Sequence, residues 1–405
     1  MADGKVESSP RERALLIGFC IAAALCEGFD IQAPGIAAPG LSRELHPAPG
    51  ALGYFFSLGN VGLMLGAILG GRLADRLGRK TVMVGALCVF GVFSLATAAA
   101  GSLPALTVLR FLTGLGLGGA MPNVIAVAGQ SSASGRNAGV AGAYMGMPLG
   151  GSIASLLVAT AAAQHWRWVF VAGGVAPLLV AAAMAAFMPK PAQPARTTRA
   201  PASGYLTDLF GDGRAWATPL LWTGFFVAAL TLHLMLNWLP LLLQGLGLSR
   251  QAAAYAQVGF SLGGAATSAL LGRLLDSRRR GAAILGTVIS VPLLVLALAN
   301  APPQPLAMSL LVLVLGGVVI GSQAILFTQA DTLYPDAARG AGVGAAVGLG
   351  RAGAIAGPAL AAVLVGAGRS PAEVLSGLMP ILLTAGACIV TLDWLKLRPR
   401  LAPAE

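Results

Sequence analysis

Four charged residues stand inside long apolar stretches. Glu27 and Asp30 fall in a run at about 14–38, Arg110 in one at about 104–128 and Arg351 in one at about 341–366. A charge at such a position costs several kcal/mol unless it faces a protein interior, finds a partner or, for an acid, is protonated. At i and i+3, Glu27 and Asp30 share one helix face. A desolvated carboxylate changes its proton affinity with its surroundings, so these acids have the chemistry of a proton carrier. A buried guanidinium can hold a carboxylate, either from the chain or on a small molecule. The competing structural readings are that an acid caps a helix end near the interface, and that the arginines are fixed ion pairs or carbonyl clamps between helices. The residue types alone leave both open.

Two other spacings mimic enzymes. Gly114, Gly116 and Gly119 match GxGxxG, but a dinucleotide site needs a preceding strand and a soluble βαβ unit, and neither is written here. Close helix approach explains those glycines better. Gly259-Phe260-Ser261-Leu262-Gly263 matches GxSxG, yet it too lies in an apolar run and not at a strand-to-helix turn. Cys20, Cys26, Cys88 and Cys388 all fall in apolar runs with no paired spacing, which reads as packing.

The elements that must position the charges follow from composition. Of 405 residues, 56% are hydrophobic and 10% charged, with a mean hydropathy of +0.79; a soluble domain carries about 25% charged residues. Twelve apolar runs approach the roughly 20 residues that span a bilayer: about 14–38, 51–71, 81–101, 104–128, 138–162, 168–188, 216–243, 252–274, 282–300, 306–330, 341–366 and 372–395. The first carries Pro34 beyond its two acids. The net charge of +11 is a topology signal: of 26 Lys and Arg, twenty fall in the connections on one side, four on the other and two in spans. That places both termini in the cytoplasm. Residues 189–215, rich in Pro, Thr and Arg, read as a mobile cytoplasmic linker. The expected organisation is a tail at 1–13, a six-span half at 14–188, the linker, a second half at 216–395 and a tail at 396–405.

The halves repeat. Gly71-Arg72-Leu73-Ala74-Asp75-Arg76-Leu77-Gly78-Arg79-Lys80 is echoed by Gly272-Arg273-Leu274-Leu275-Asp276-Ser277-Arg278-Arg279-Arg280. Phe56-Ser57-Leu58-Gly59 returns at Phe260-Ser261-Leu262-Gly263, and Arg136-Asn137-Ala138-Gly139-Val140 at Arg339-Gly340-Ala341-Gly342-Val343. Offsets of 201, 204 and 203 indicate duplication of a six-helix unit.

With residues 71–80 matching its loop motif, the chain resembles the major facilitator superfamily, and in closer detail the aromatic acid:proton symporter family. The finer likeness rests on Glu27-Gly28-Phe29-Asp30, Arg110-Phe111-Leu112-Thr113-Gly114-Leu115-Gly116, Met121-Pro122-Asn123 and Met147-Pro148-Leu149-Gly150. In the second half it rests on Asn237-Trp238-Leu239-Pro240, Gly321-Ser322-Gln323, Tyr334-Pro335 with Arg339, and Gly350-Arg351-Ala352-Gly353 before Gly357-Pro358. Glu27 stands where members usually have Asp. The resemblance implies an all-α membrane protein of twelve transmembrane helices in two pseudo-symmetric halves. It further implies import of small organic anions, benzoate-type aromatic carboxylates foremost, with protons and by alternating access.

Expected roles follow. Asp30 carries the proton, Glu27 is its partner or tuner and Arg110 is the cation that they trade with. Arg351 takes the substrate carboxylate. Asn123, Tyr144, His233, Asn237, Trp238 and Gln323 are expected around the substrate, with interhelical hydrogen bonding as the competing role of the polar ones. Tyr54, Phe55 and Phe327 are further candidates for stacking on a ring. Asp75, Arg76, Arg79, Asp276 and Arg339 are expected to gate the cytoplasmic end. No catalytic residue, metal, nucleic acid or cofactor beyond the proton gradient is expected, and the protein is read as a monomer of the inner membrane. A proton-driven exporter is the alternative; the antiporter pattern GPxxGG is displaced here, with Pro148 one position late in Gly146-Met147-Pro148-Leu149-Gly150-Gly151. A non-transporting sensor need not keep intramembrane charges, and this chain keeps four.

Overall fold

The computed structural model describes residues 9–48, 50–131, 146–159, 165–189, 205–211, 214–275, 277–334 and 336–397. Among the described residues every regular element is a helix: α1 Pro10–Leu45, α2 Leu52–Leu77, α3 Arg79–Ala99, α4 Leu103–Ser131, α5 Gly146–Ala159, α6 Arg167–Phe187, α7 Tyr205–Phe210, α8 Ala217–Gly245, α9 Arg250–Leu275, α10 Arg280–Ala299, α11 Pro305–Leu333, α12 Asp336–Gly366, α13 Pro371–Ser376 and α14 Met379–Leu397. Each of the twelve apolar runs carries a helix; ten helical stretches among the described residues are long and apolar enough to cross a bilayer. The last run is divided, with α13 leading into α14. The architecture is the all-α, multi-pass membrane fold expected from the runs.

Helix α1 differs from its expected limits. It has 36 residues, about 54 Å at 1.5 Å per residue, well beyond the roughly 30 Å hydrocarbon layer. It begins inside the expected tail because Ser9 and Glu12 form a reciprocal capping box ahead of Pro10. It stops at His46, whose φ of 42° is left-handed.

By packing, the chain divides into two compact units, Met1–His46 with Leu58–Thr197, and Pro47–Ser57 with Thr198–Glu405. In the first, Cys20, Ala24, Met83, Phe90, Leu117 and Val127 belong to one buried cluster. Within a bilayer, helix association depends on close packing, so small residues decide it. A Cβ on Gly28 would collide with the Met147 carbonyl, and one on Gly150 with the Leu25 carbonyl, so α1 and α5 touch backbone to backbone. The GxGxxG glycines act likewise: a Cβ on Gly114 would collide with the Gly59 carbonyl of α2, and one on Gly116 would come within 2.5 Å of the Phe90 nitrogen of α3. In the second unit, Leu221, Phe225, Leu326, Tyr334, Ala346 and Leu392 share a core, and Gly353 and Gly357 seat α12 on the backbone of α8.

Each basic turn leads into a clamp within its own unit. In the first, Lys80 at the start of α3 donates to the carbonyl of Met188, which caps α6, at 2.7 Å. In the second, Arg280 at the start of α10 pairs with Asp393 on α14 at 3.2 Å. The two clamps use neighbouring positions of the repeat, since at an offset of 201 Arg280 corresponds to Arg79 and not to Lys80.

The linker departs from expectation. Residues 190–204 lie outside the described residues, but Tyr205–Phe210 is helical and Leu209 is buried in the second unit's core.

Candidate functional site

In the first unit, Arg110 on α4 meets Asp30 on α1. Its two terminal nitrogens donate to the two carboxylate oxygens at 2.8 Å each, and Nη2 also lies 3.4 Å from the Asp30 carbonyl. Asp30 is 0% exposed and Arg110 4%. The guanidinium carbon sits 5.9 Å from the Phe170 ring centre, adding a cation–π contact from α6. Arg110 Nε is buried with no hydrogen-bond partner among the described residues, beside Gly59, whose missing side chain leaves it room. The local reason for Asp30's depth is Gly28: α1 closes onto α5 there, and both acids turn inward, Glu27 being 3% exposed.

One turn of α1 farther, Gln32 is buried and its Oε1 accepts from Ser155 Oγ at 3.4 Å. A Cβ on Gly151 would collide with its amide nitrogen. Asn123 donates to its own helix, at 3.0 Å to the Gly119 carbonyl, and lies 3.5 Å from the Gly70 carbonyl of α2.

In the second unit His233 and Asn237 of α8 bond to their own helix. His233 Nδ1 lies 3.0 Å from the Ala229 carbonyl, and Asn237 Nδ2 donates to the His233 carbonyl at 2.7 Å. Trp238 is engaged in packing: its Nε1 donates to the Pro358 carbonyl at 3.1 Å and its ring meets Phe56 edge-on at 5.3 Å. Arg351 is half-buried, makes no hydrogen bond or ion pair among the described residues, and lies close enough to act electrostatically on His233. Beside it, Gly350 abuts Phe225, whose ring meets Phe327 of α11 at 5.2 Å and 88°. Gln323, one turn before Phe327, has a buried amide nitrogen with no hydrogen-bond partner among the described residues. Arg351 thus offers a cation with no hydrogen bond or ion pair among the described residues and Gln323 an unsatisfied amide donor, whereas Phe225 is 2% exposed and belongs to the core. A guanidinium so placed suits an anionic group.

Of the remaining expected residues, Tyr144 and Asp276 lie outside the described residues, as do the side chains of Asp75 and Arg339. Arg76 is exposed and Arg79 half-buried. Tyr54 is 74% exposed and Phe55 fully buried. Sequence reasoning passed over Phe170, Phe225 and Gln32. Gln32 carries a signal, a polar residue in an apolar run; the two phenylalanines carry none.

The sequence matches the model of the Major Facilitator Superfamily over residues 20–397. It is 36% identical over 397 residues to the 3-(3-hydroxy-phenyl)propionate transporter of Escherichia coli (strain K12), covering 98% of this chain and 97% of that one. It is 31% identical over 403 residues to the 4-hydroxybenzoate transporter PcaK of Pseudomonas putida, covering 91% and 89%. Among solved structures, a bacterial homolog to the human lysosomal transporter Spinster, in an inward-facing and occupied conformation, aligns with a TM-score of 0.81 at 15% identity, covering 98% of this chain and all of that one; this supports the fold alone. With a motif-bearing loop, apolar helices of bilayer length and a match across almost its whole length, the chain belongs to the Major Facilitator Superfamily, as a multi-pass membrane transporter and not an enzyme.

Proposed function

We propose that this transporter imports small aromatic carboxylates together with protons, by alternating access. It works as a monomer in the inner membrane, with both termini cytoplasmic and the proton gradient as its only energy source. The observation that carries the reading is the buried two-pronged pair of Asp30 and Arg110. A carboxylate held there is stable while ionised; protonating it removes the partner of a buried cation, which is costly. Proton uptake and a rearrangement around Arg110 are therefore linked. The names of the relatives, transporters of 3-(3-hydroxy-phenyl)propionate and 4-hydroxybenzoate, favour a ring-bearing acid as cargo. Arg351, half-buried and without a hydrogen bond or ion pair among the described residues, supports an anionic group on that cargo.

The test is uptake of labelled benzoate-type acids into proteoliposomes under an imposed pH gradient. Accumulation that follows the gradient and collapses with a protonophore is expected. Extrusion in the opposite sense, or uptake indifferent to the gradient, removes the symport reading.

A further inference from the structure

A chain of hydrogen bonds lies in the second unit outside the carboxylate site. Tyr334, at the corner between α11 and α12, donates from its hydroxyl to Thr218 Oγ1 at 3.2 Å. Thr218, in the first turn of α8, donates in turn to the carbonyl of Leu209 in α7 at 2.6 Å. The three residues are 2%, 0% and 1% exposed respectively. Leu209 sits in the last turn of a short helix, where carbonyls lack an intrahelical partner, so the threonine hydroxyl satisfies a group that burial would otherwise leave open.

Packing reinforces the same three elements. Phe210 of α7 meets Trp222 of α8 edge-on at 5.7 Å. The Tyr334 ring lies so close to Gly342 of α12 that any Cβ there would collide with it. Tyr334 is thus held at its hydroxyl by α8 and along its ring by α12. The corner it occupies leads directly into the segment carrying Arg339, and α7 lies near the start of the longer stretch of the second unit, Thr198–Glu405.

We propose that α7, Thr218 and Tyr334 form a latch that fastens α7 to the α11–α12 corner, so that α7 and this corner move as one body during turnover. Thr218 and Tyr334 are positioning residues and touch no substrate. The latch rests on the transporter reading only for its effect on turnover; its existence is a property of the fold. Loosening it should slow the conformational step and leave substrate affinity alone, because neither residue contributes to the wall around Arg351.

The experiment uses the full-length protein. Thr218→Val removes both hydrogen bonds at nearly constant shape, Thr218→Ser keeps the hydroxyl, and Tyr334→Phe keeps the ring against Gly342. Amide hydrogen exchange over 205–211 should accelerate about fivefold in Tyr334→Phe, the scale of one net hydrogen bond, and about 25-fold in Thr218→Val, which loses two. It should stay at the wild-type rate in Thr218→Ser. In proteoliposomes the first two should lose several-fold in turnover at an unchanged dissociation constant for benzoate, with Thr218→Ser again like wild type. Unchanged exchange in Thr218→Val, faster exchange with unchanged turnover, or a parallel loss of affinity each overturns the latch. A wild type that neither binds nor moves an aromatic acid sinks the transport reading instead, and the exchange comparison still decides whether the latch exists.

Discussion

Arg110 grips Asp30 with both terminal nitrogens at 2.8 Å, joining α4 to α1 at a point where neither side chain is more than 5% exposed. A bidentate guanidinium–carboxylate pair of this kind is geometrically specific as well as strong. The proposed proton coupling rests on this pair.

Replacing Asp30 with Asn should therefore abolish accumulation driven by a pH gradient and leave part of the substrate exchange, which needs no net proton movement. Paired measurements of uptake and counterflow in proteoliposomes check this. Normal pH-driven accumulation in Asp30→Asn would move the coupling role to Glu27 or away from α1 altogether.

The same pair sets a stability prediction. Arg110→Ala leaves a buried carboxylate without its partner, a change on the order of 3–5 kcal/mol. Thermal unfolding of the purified protein should fall sharply, and Asp30→Asn added to Arg110→Ala should recover part of the loss. No recovery in the double variant contradicts direct coupling between the two.

Two glycines of α1 give opposite expectations. A Cβ on Gly28 collides with the Met147 carbonyl, whereas Gly18 has nothing within 4 Å. Gly28→Ala should lower the melting temperature, at about 1–3 kcal/mol for overpacking. Gly18→Ala should be neutral or slightly stabilising, by up to about 1 kcal/mol of helix propensity. Equal shifts for the two variants would place α1 and α5 farther apart than observed.

The helices are legible in the sequence because bilayer-length apolar runs are a local signal. The charge pair is legible as far as its members: Asp30 and Arg110 stand out in apolar surroundings and are expected to interact, while its two-pronged geometry, joining residues 80 positions apart, depends on how α1 and α4 pack. Phe170 and Phe225 are invisible beforehand, since a phenylalanine in an apolar run reads alike whether it faces lipid, core or ligand. The polar residues His233 and Asn237 look like interhelical ties, yet each bonds within 3.0 Å to a carbonyl of its own helix four residues back; Asn123 does the same and also reaches the Gly70 carbonyl of α2 at 3.5 Å. Helix α7 escapes notice because its six residues hold too little periodicity to stand out from the Pro- and Thr-rich segment before it.

Orientation is checked by accessibility. Single cysteines placed at Ala200 and His46, in a background without native cysteines, should differ: a membrane-impermeant reagent applied outside labels position 46 and spares position 200. The warrant is the uneven placement of Lys and Arg between alternate connections. The reverse labelling pattern inverts the topology.

Arg351 supplies the last test. It stands between Gly350 and Gly353 with no hydrogen bond or ion pair among the described residues, and no acid lies three or four positions away on α12. A half-buried cation so placed is available to an anion. If the substrate carboxylate is its partner, Arg351→Lys should weaken binding, because an ammonium cannot make the two-pronged contact of a guanidinium. The expected loss is about 1–3 kcal/mol, the scale of hydrogen bonds to charged groups. Isothermal titration with benzoate and with benzamide separates the charge from the ring: wild type should prefer the acid strongly, and Arg351→Lys should prefer it less. Should Arg351→Lys bind the acid as tightly as wild type, or lose acid and amide affinity equally, Arg351 is a structural cation and Arg110, whose Nε donor has no hydrogen-bond partner among the described residues, becomes the leading anion ligand.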